Sequence, residues 1–251
     1  MAHRKPLILN TDKTVCLVLG TWQRRATVPD CSINLRIGDK SLQQVPTAKL
    51  LGLTVDETLS WDAHIDALCK KISNKLVLLC RLKKCMPCTT LLMLYNSIVL
   101  PHFDYADIIW GTAADKYVTR LYKLQKRAAR IIASARRFAK SEPIFQDLKW
   151  MPLKERIHFH TATMMHKAMS GQTPDYITSK FTHVRDCSSQ RTREGLHDKL
   201  RLPKPHLEVY RRSFDYRGAS LWNDLDHDIK MSTSTNSFKF KYVKSYWAVH
   251  N

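Results

Sequence analysis

The stretch Ser60-Trp61-Asp62-Ala63-His64-Ile65-Asp66-Ala67-Leu68-Cys69-Lys70-Lys71-Ile72-Ser73-Asn74-Lys75-Leu76-Val77-Leu78-Leu79 decides the fold class. Its apolar residues Ile65, Leu68, Ile72, Leu76 and Leu79 recur at steps of three and four, the spacing of one face of an α-helix. Ser60 is the expected N-cap, and Asp62 sits in the first turn, where a carboxylate meets the positive end of the helix. Upstream the period is different. Val15 to Leu19 is a short apolar run ending at Gly20, and Ile33, Leu35 and Ile37 alternate with polar neighbours before the turn residues Gly38-Asp39. Leu50 to Val55 is a third strand-like run. Downstream the helical spacing returns. Leu91, Leu92, Tyr95, Ile98 and Val99 form a second helix that Pro101 is expected to stop or kink. A third runs from about Lys116 to Ala135, and a fourth follows Pro152, a residue suited to a first turn, and stops at Gly171. Residues 171–212 lack periodicity and are expected to be largely irregular. The aromatic residues from Phe214 to Trp247, Phe240 among them, are expected to pack. The pattern predicts an α+β chain, mainly α, with a small N-terminal antiparallel β portion.

With 44% hydrophobic and 25% charged residues over 251 positions, the chain has the composition of a globular protein and enough length for a real core. Its charge is unusual. Forty-one Lys and Arg against 22 Asp and Glu leave +19, which calls for an anionic partner, nucleic acid first and an anionic membrane surface as the rival. No apolar run approaches the ~20 residues of a membrane span. Seven cysteines at irregular spacings do not form a secreted disulfide framework, so an intracellular setting, nuclear or cytoplasmic, is expected.

The charge is also patterned. Lys116, Arg120, Lys123, Arg127 and Arg130 recur at steps of four, three, four and three, within a stripe of roughly 80° on a helix. Val118, Leu121, Leu124, Ala128, Ile132 and Ala135 project to the other side, and no acidic residue occurs from Lys116 to Lys140. Such a helix can bury one face and offer cations to phosphates on the other; a merely solvated face is the competing reading.

Catalytic signals are sparse. Cys85-Met86-Pro87-Cys88 has the spacing of half a zinc site but no obvious second ligand pair, and a helix connection carrying small thiols is the simpler reading. His158, His160 and His166 do not share one helical face. Asp104 and Asp107 lie among apolar residues, with Ile108 where a paired second acid would stand, so a buried helical junction is expected and no metal site.

Taken in order, several motifs resemble the carboxy-terminal part of reverse transcriptases of LINE-type, non-LTR retrotransposons, especially jockey-like elements. Leu9-Asn10-Thr11-Asp12-Lys13-Thr14 is similar to the family's late-palm Leu-Asn-x-x-Lys-Thr motif. Lys49-Leu50-Leu51-Gly52-Leu53, with Asp56 and Leu59 to Ile65, resembles its Tyr-Leu-Gly turn and the start of its thumb. Tyr95 to Gly111, Leu121, Leu124 to Ile132, Trp150-Met151-Pro152-Leu153 with Arg156, and Ser213 to Ala219 leading to Leu221-Trp222-Asn223-Asp224-Leu225 continue the series. Leu50 in place of an aromatic residue, and Asp226 in place of a proline, depart from it.

The resemblance implies a palm-end β remnant over residues 1–58, a helical thumb over 59–140 and a post-thumb region over 141–251. It also implies a nucleic-acid-binding role in which Lys116, Arg120, Lys123, Arg127 and Arg130 contact template and primer, RNA and DNA, without a membrane. Lys13 would lie near an incoming nucleotide's phosphates, and Leu50, Leu51 and Gly52 would form a primer-grip-like turn. The family's metal-binding aspartates precede the Leu-Asn-x-x-Lys-Thr motif. The chain is therefore expected to lack catalytic residues and cofactors of its own, Mg2+ serving only a complete polymerase, and to need an upstream polymerase portion for synthesis. The alternative is a domesticated interaction protein that docks a protein partner through its aromatic C-terminal part, which exposed Trp222, Phe238, Tyr246 and Trp247 would favour.

Overall fold

A computed structural model describes residues 10–27, 33–187 and 199–250. The chain divides into two compact units, Met1–Asp66 and Ala67–Asn251, so the segments drawn as 59–140 and 141–251 fall mostly within the second. The first unit holds a 3-10 turn (Thr11–Lys13), β1 (Val15–Cys16), α1 (Trp22–Thr27), β2 (Arg36–Ile37), β3 (Lys40–Ser41), β4 (Gln43–Gln44), β5 (Thr47–Leu50), β6 (Leu53–Asp56) and the start of α2 (Asp62–Leu82). β2–β3 and β5–β6 are antiparallel, as the mainly α, α+β reading expects, and a two-residue parallel pair, β1 with β4, accompanies them. A parallel pair needs a long crossover, and α1 with the β2–β3 hairpin supplies it.

Leu50 pairs with Leu53 across the two-residue turn Leu51-Gly52, whose φ values of 47° and 82° are those of a type I′ hairpin. Glycine takes that geometry freely; Leu51 is there at a cost of roughly 1–2 kcal/mol. After β6 the chain bends through two further left-handed residues, Leu59 (φ 53°) and Trp61 (φ 65°). Asp56 holds this bend. Its Oδ2 accepts from Thr58 N (3.2 Å), Thr58 Oγ1 (2.6 Å) and Ser60 N (3.0 Å), and its Oδ1 from Trp61 N (2.9 Å). Burial would raise the Asp56 pKa, but these bonds outweigh it and hold the carboxyl below its usual value. The Ile65 amide donates to Trp61 O (2.9 Å), so α2 opens one residue later than the Ser60 cap expected from sequence.

The second unit is helical: α3 (Cys88–Leu94), a π-helical turn (Tyr95–Val99), α4 (Leu100–Asp104), α5 (Asp107–Trp110), α6 (Asp115–Ile132), α7 (Ser141–Asp147), α8 (Leu153–Met169), α12 (Phe214–Asp224), α13 (His227–Lys230) and α14 (Thr235–His250). Among the described residues between α8 and α12 the helices are single turns, α9 (Asp175–Thr178), α10 (Val184–Cys187) and α11 (Glu208–Arg211), in keeping with the weak periodicity there. Pro101 does not stop the second helix. The π-helical turn widens the helix just before it, and α4 takes the proline in its first turn, where no amide hydrogen is needed.

The α2 residues Leu68, Ile72, Leu76 and Leu79 are buried, as their spacing required, and so are Leu91, Tyr95, Val99, Phe103, Trp110, Leu121, Ile132 and Leu153. A second cluster joins α8 to the C-terminal helices through Ala162, Met165, Ala219, Trp222, Ile229 and Phe238. Phe240 departs from the expectation, at 71% exposure, because it lies two residues from buried Phe238 and so faces away from it on α14. Three helices end in the same way, with a left-handed residue and a six-to-one hydrogen bond: Ser134 (Ala135 N to Arg130 O), Lys149 (Trp150 N to Phe145 O) and Gly171 (Gln172 N to Lys167 O). Only Gly171 announces itself in the sequence; α6 therefore ends at Ile132, short of Ala135. Among the described residues no helix is long and apolar enough to cross a membrane.

Candidate nucleic-acid interface

α6 separates its two faces as the sequence pattern requires. Val118, Leu121, Gln125, Ala128 and Ile132 are buried, while Lys116, Arg120, Lys123 and Arg127 are exposed. Gln125, a polar residue on the inner face, donates Nε2 to Met151 O at 2.9 Å. Arg130, the last member of the stripe, is half-buried and donates Nε to Ala139 O (2.8 Å), so it ties down the segment after α6. Lys126, just off the stripe, lies over the Tyr122 ring (4.4 Å) and 3.8 Å from Glu142.

α2 carries a sparser row, cationic at three of its five positions. Lys70, Asn74, Val77, Arg81 and Lys84 repeat the four-three-four-three spacing along α2 and the turn after it, and all five are exposed. Val77, Cys80, Arg81 and Lys84 meet Arg127 around a groove of about 450 Å³, so the two helices present cations to one shared depression with an apolar strip between. The local field is positive. His102 is held below the ordinary imidazole pKa by burial first and then by Lys75 and Lys71. Reading the sequence helix by helix missed this wall, although the same spacing that revealed the α6 stripe was present in α2.

Lys13 is exposed at the end of the 3-10 turn, and Leu50 and Leu51 stand at the hairpin tip with 63% and 82% exposure; these belong to the first unit. Cys80, Cys85 and Cys88 are exposed, free thiols, and Cys88 begins α3. Among the described residues, one group of side chains has metal-ligand geometry: Asp104, Asp107 and His160, with ligand atoms within 4.8 Å of one another. All three are already engaged. Arg156 donates to both Asp104 oxygens (2.5 and 2.6 Å), and His160 Nδ1 shares a 2.5 Å hydrogen bond with Asp107 Oδ2.

These contacts give the Tyr95 to Gly111 motif a structural meaning. A left-handed Ala106 (φ 53°) turns the chain between α4 and α5. Asp104 and Asp107 then hold α8 through Arg156 and His160, while buried Trp110 donates Nε1 to Tyr105 O (2.8 Å). Arg217 of α12 donates to Gly111 O (2.8 Å). A Cβ at Gly111 would lie 2.4 Å from Asp107 O and 2.8 Å from Ile157 Cγ2, so only glycine fits. Burial raises the Asp107 pKa, opposed by its bond to His160. The sequence reading treated His160 as an ordinary helix histidine; its partner lies 53 residues away, and no local spacing could have paired them. Of the aromatic residues considered for docking, Trp222 and Phe238 are core and Tyr246 and Trp247 half-buried.

Two Drosophila melanogaster proteins match the chain. One, described as a probable RNA-directed DNA polymerase from transposon X-element, is 26% identical over 167 residues, covering 64% of this chain. The other, a probable RNA-directed DNA polymerase from transposon BS, is 31% identical over 161 residues, covering 62%. In both cases the match spans 17% of the relative's length. No family model and no solved structure matches. The matches support the resemblance to a piece of a LINE-type reverse transcriptase.

Proposed function

We propose that this chain, a relative of transposon-encoded RNA-directed DNA polymerases, holds template and primer through phosphate contacts made by the exposed cations of α6 and α2, as the thumb-like part of such a polymerase. The observation that carries this reading is the exposed row Lys116, Arg120, Lys123 and Arg127, in a stretch from 116 to 140 that holds no acid, whose last exposed member, Arg127, shares one groove with Arg81 and Lys84. Cations so placed attract a polyanion from solution, and a backbone-tracking surface of this kind has little sequence preference. The role requires no metal of its own and no chemistry beyond binding, and the isolated chain is not expected to polymerise.

The test is the salt dependence of binding to an RNA–DNA hybrid, followed by fluorescence anisotropy. If about five phosphates are neutralised, log affinity falls against log salt with a slope of roughly −4 to −5. Substituting Arg120, Lys123 and Arg127 together with Ala should flatten the slope by about 2 to 3. A salt-insensitive association, or an unchanged slope in the triple variant, would count against the assigned surface. Template-directed synthesis by the isolated chain would overturn the non-catalytic reading.

A further inference from the structure

A cavity of about 660 Å³ lies at the start of α6, bounded also by the first turns of α8 and by the α11–α12 segment. Its walls carry Lys154, Arg212 and Arg217, with Asp115 and Glu208 as the acids and His158 beside them. The acids stand outward, at 82% and 70% side-chain exposure, and Asp115 is already 3.0 Å from Lys154 Nζ. The two guanidinium groups are less well provided for. Arg217 is half-buried, and its one hydrogen bond within the described residues is Nη1 to Gly111 O, out of five donors that a guanidinium offers. Burial lowers its pKa, with only Asp115 opposing. Arg212 has a buried Nε without a hydrogen-bond partner, and its nearest carboxylate, Glu208 Oε1, is 4.0 Å away. Sequestered cations with unused donors are costly unless an anion completes them. α6 adds to the demand, since its eighteen residues begin at Asp115 behind an N-cap, Ala114, that has no side-chain cap to offer, and the first-turn amides lie at the cavity's edge.

We propose that this cavity is a phosphate-binding site, in which Arg212 and Arg217 grip a phosphate group through charge-assisted hydrogen bonds at the start of α6. A phosphate presents enough acceptor oxygens to engage two guanidinium groups at once, whereas a carboxylate's two oxygens are filled by a single fork and chloride offers no fork geometry. The volume exceeds that of a lone phosphate and falls in the range of small-ligand pockets, so the group arrives attached to a nucleotide or alone. Lys116, the first cation of the stripe, directly follows Asp115. A terminal phosphate of a strand lying along α6 and a free phosphate are the two sources of this chemistry. The first rests on the proposed function; the site itself does not.

The experiment titrates inorganic phosphate into the 15N-labelled full chain and follows the Gly111, Asp115 and Lys116 amides and the Arg Nε–H signals. Saturable shifts are expected, with affinity lowered about tenfold or more in Arg212→Gln. Arg212 is the residue to change because Arg217 also supports Gly111, and Lys244→Gln, at an exposed cation of α14 outside the cavity, checks that the loss is not general. A retained response there, with a lost one in Arg212→Gln, supports the site. No shift at these positions, or equal affinity in Arg212→Gln and the parent chain, overturns it.

A second arm compares oligonucleotides of one sequence with and without a 5′-phosphate. Tighter binding of the phosphorylated strand that disappears in Arg212→Gln assigns the strand terminus; equal binding of both strands, with the phosphate shifts intact, assigns free phosphate. Loss of all oligonucleotide binding with the phosphate response intact would remove the proposed function and leave the pocket standing. Salt-dependent oligonucleotide binding without any phosphate response would do the reverse.

Discussion

The two units of this chain use similar apolar sequence material to opposite effect. In the second, the inner faces of α2, α6 and α8 are buried, and Trp110, Phe103, Leu121 and Leu153 are fully enclosed. In the first, Val15, Leu19, Trp22, Ile33, Leu35, Leu50 and Leu51 are all exposed, and burial among the described residues is confined to Leu53, Trp61, His64 and Ile65. What organises the first unit is instead polar: three two-stranded pairs, the Asp56 carboxylate with its four donors, and the Arg25–Glu57 ion pair at 2.6 Å. An apolar residue in a strand pattern thus reports a capacity for burial, which is realised only where another layer covers the strand.

That contrast can be broken or sharpened by measurement. The largest effect is expected in the helical core: Trp110→Ala should cost about 3–5 kcal/mol in urea unfolding, through the cavity and the loss of the bond to Tyr105 O. Trp22→Ala, in the first unit, should stay within about 0.5 kcal/mol. Comparable losses from the two would show that the first unit has a hidden core. Next comes Asp104→Ala, which strands Arg156 and should cost about 2–3 kcal/mol after allowing for partial exposure. Adding Arg156→Met should recover part of that loss, and a double-mutant cycle measures how much.

Asp56→Asn should cost about 1–2 kcal/mol, since an amide presents one acceptor oxygen where two carboxylate oxygens now receive four donors. The pH dependence has a definite sign. The Asp56 pKa is lowered in the fold, so its stabilisation is present above the ordinary carboxylate value and is lost as pH falls through the lowered one. Acidification should therefore loosen the β6–α2 junction, read by hydrogen exchange at Thr58, Ser60 and Trp61, and the asparagine variant should lack that dependence. Backbone amides of β1 to β4 should exchange about 100-fold or more faster than those of α6 and α8. The smallest stability effect belongs to the functional surface: Arg120, Lys123 and Arg127 to Ala should leave stability unchanged within about 0.5 kcal/mol while weakening nucleic-acid binding.

Much of this was legible before any coordinates. The α2, α6 and α8 helices, the mainly α class, the stop at Gly171 and the inner and outer faces of α6 all follow from residues three and four apart, which a helix brings together by its own geometry. Other features carried no local signal. Ser134 and Lys149 end helices in the left-handed conformation that glycine usually takes, and the π-helical turn that accommodates Pro101 has no residue that announces it. The parallel β1–β4 pair joins residues too short in run and too far apart in sequence to be matched by pattern.

By itself, then, the order of residues determined the helical periods, the surplus of positive charge and the side of α6 on which that charge stands, because each depends on neighbours within a turn or two. Tertiary structure alone decided that Arg81 and Lys84 share a groove with Arg127, that Asp107 meets His160 across 53 residues, and that Arg217 reaches Gly111 across 106. Those pairings arise when whole helices dock by burying their apolar faces, and which polar groups then come within hydrogen-bonding distance is fixed by the docking geometry, a property of the assembled packing and of no single segment.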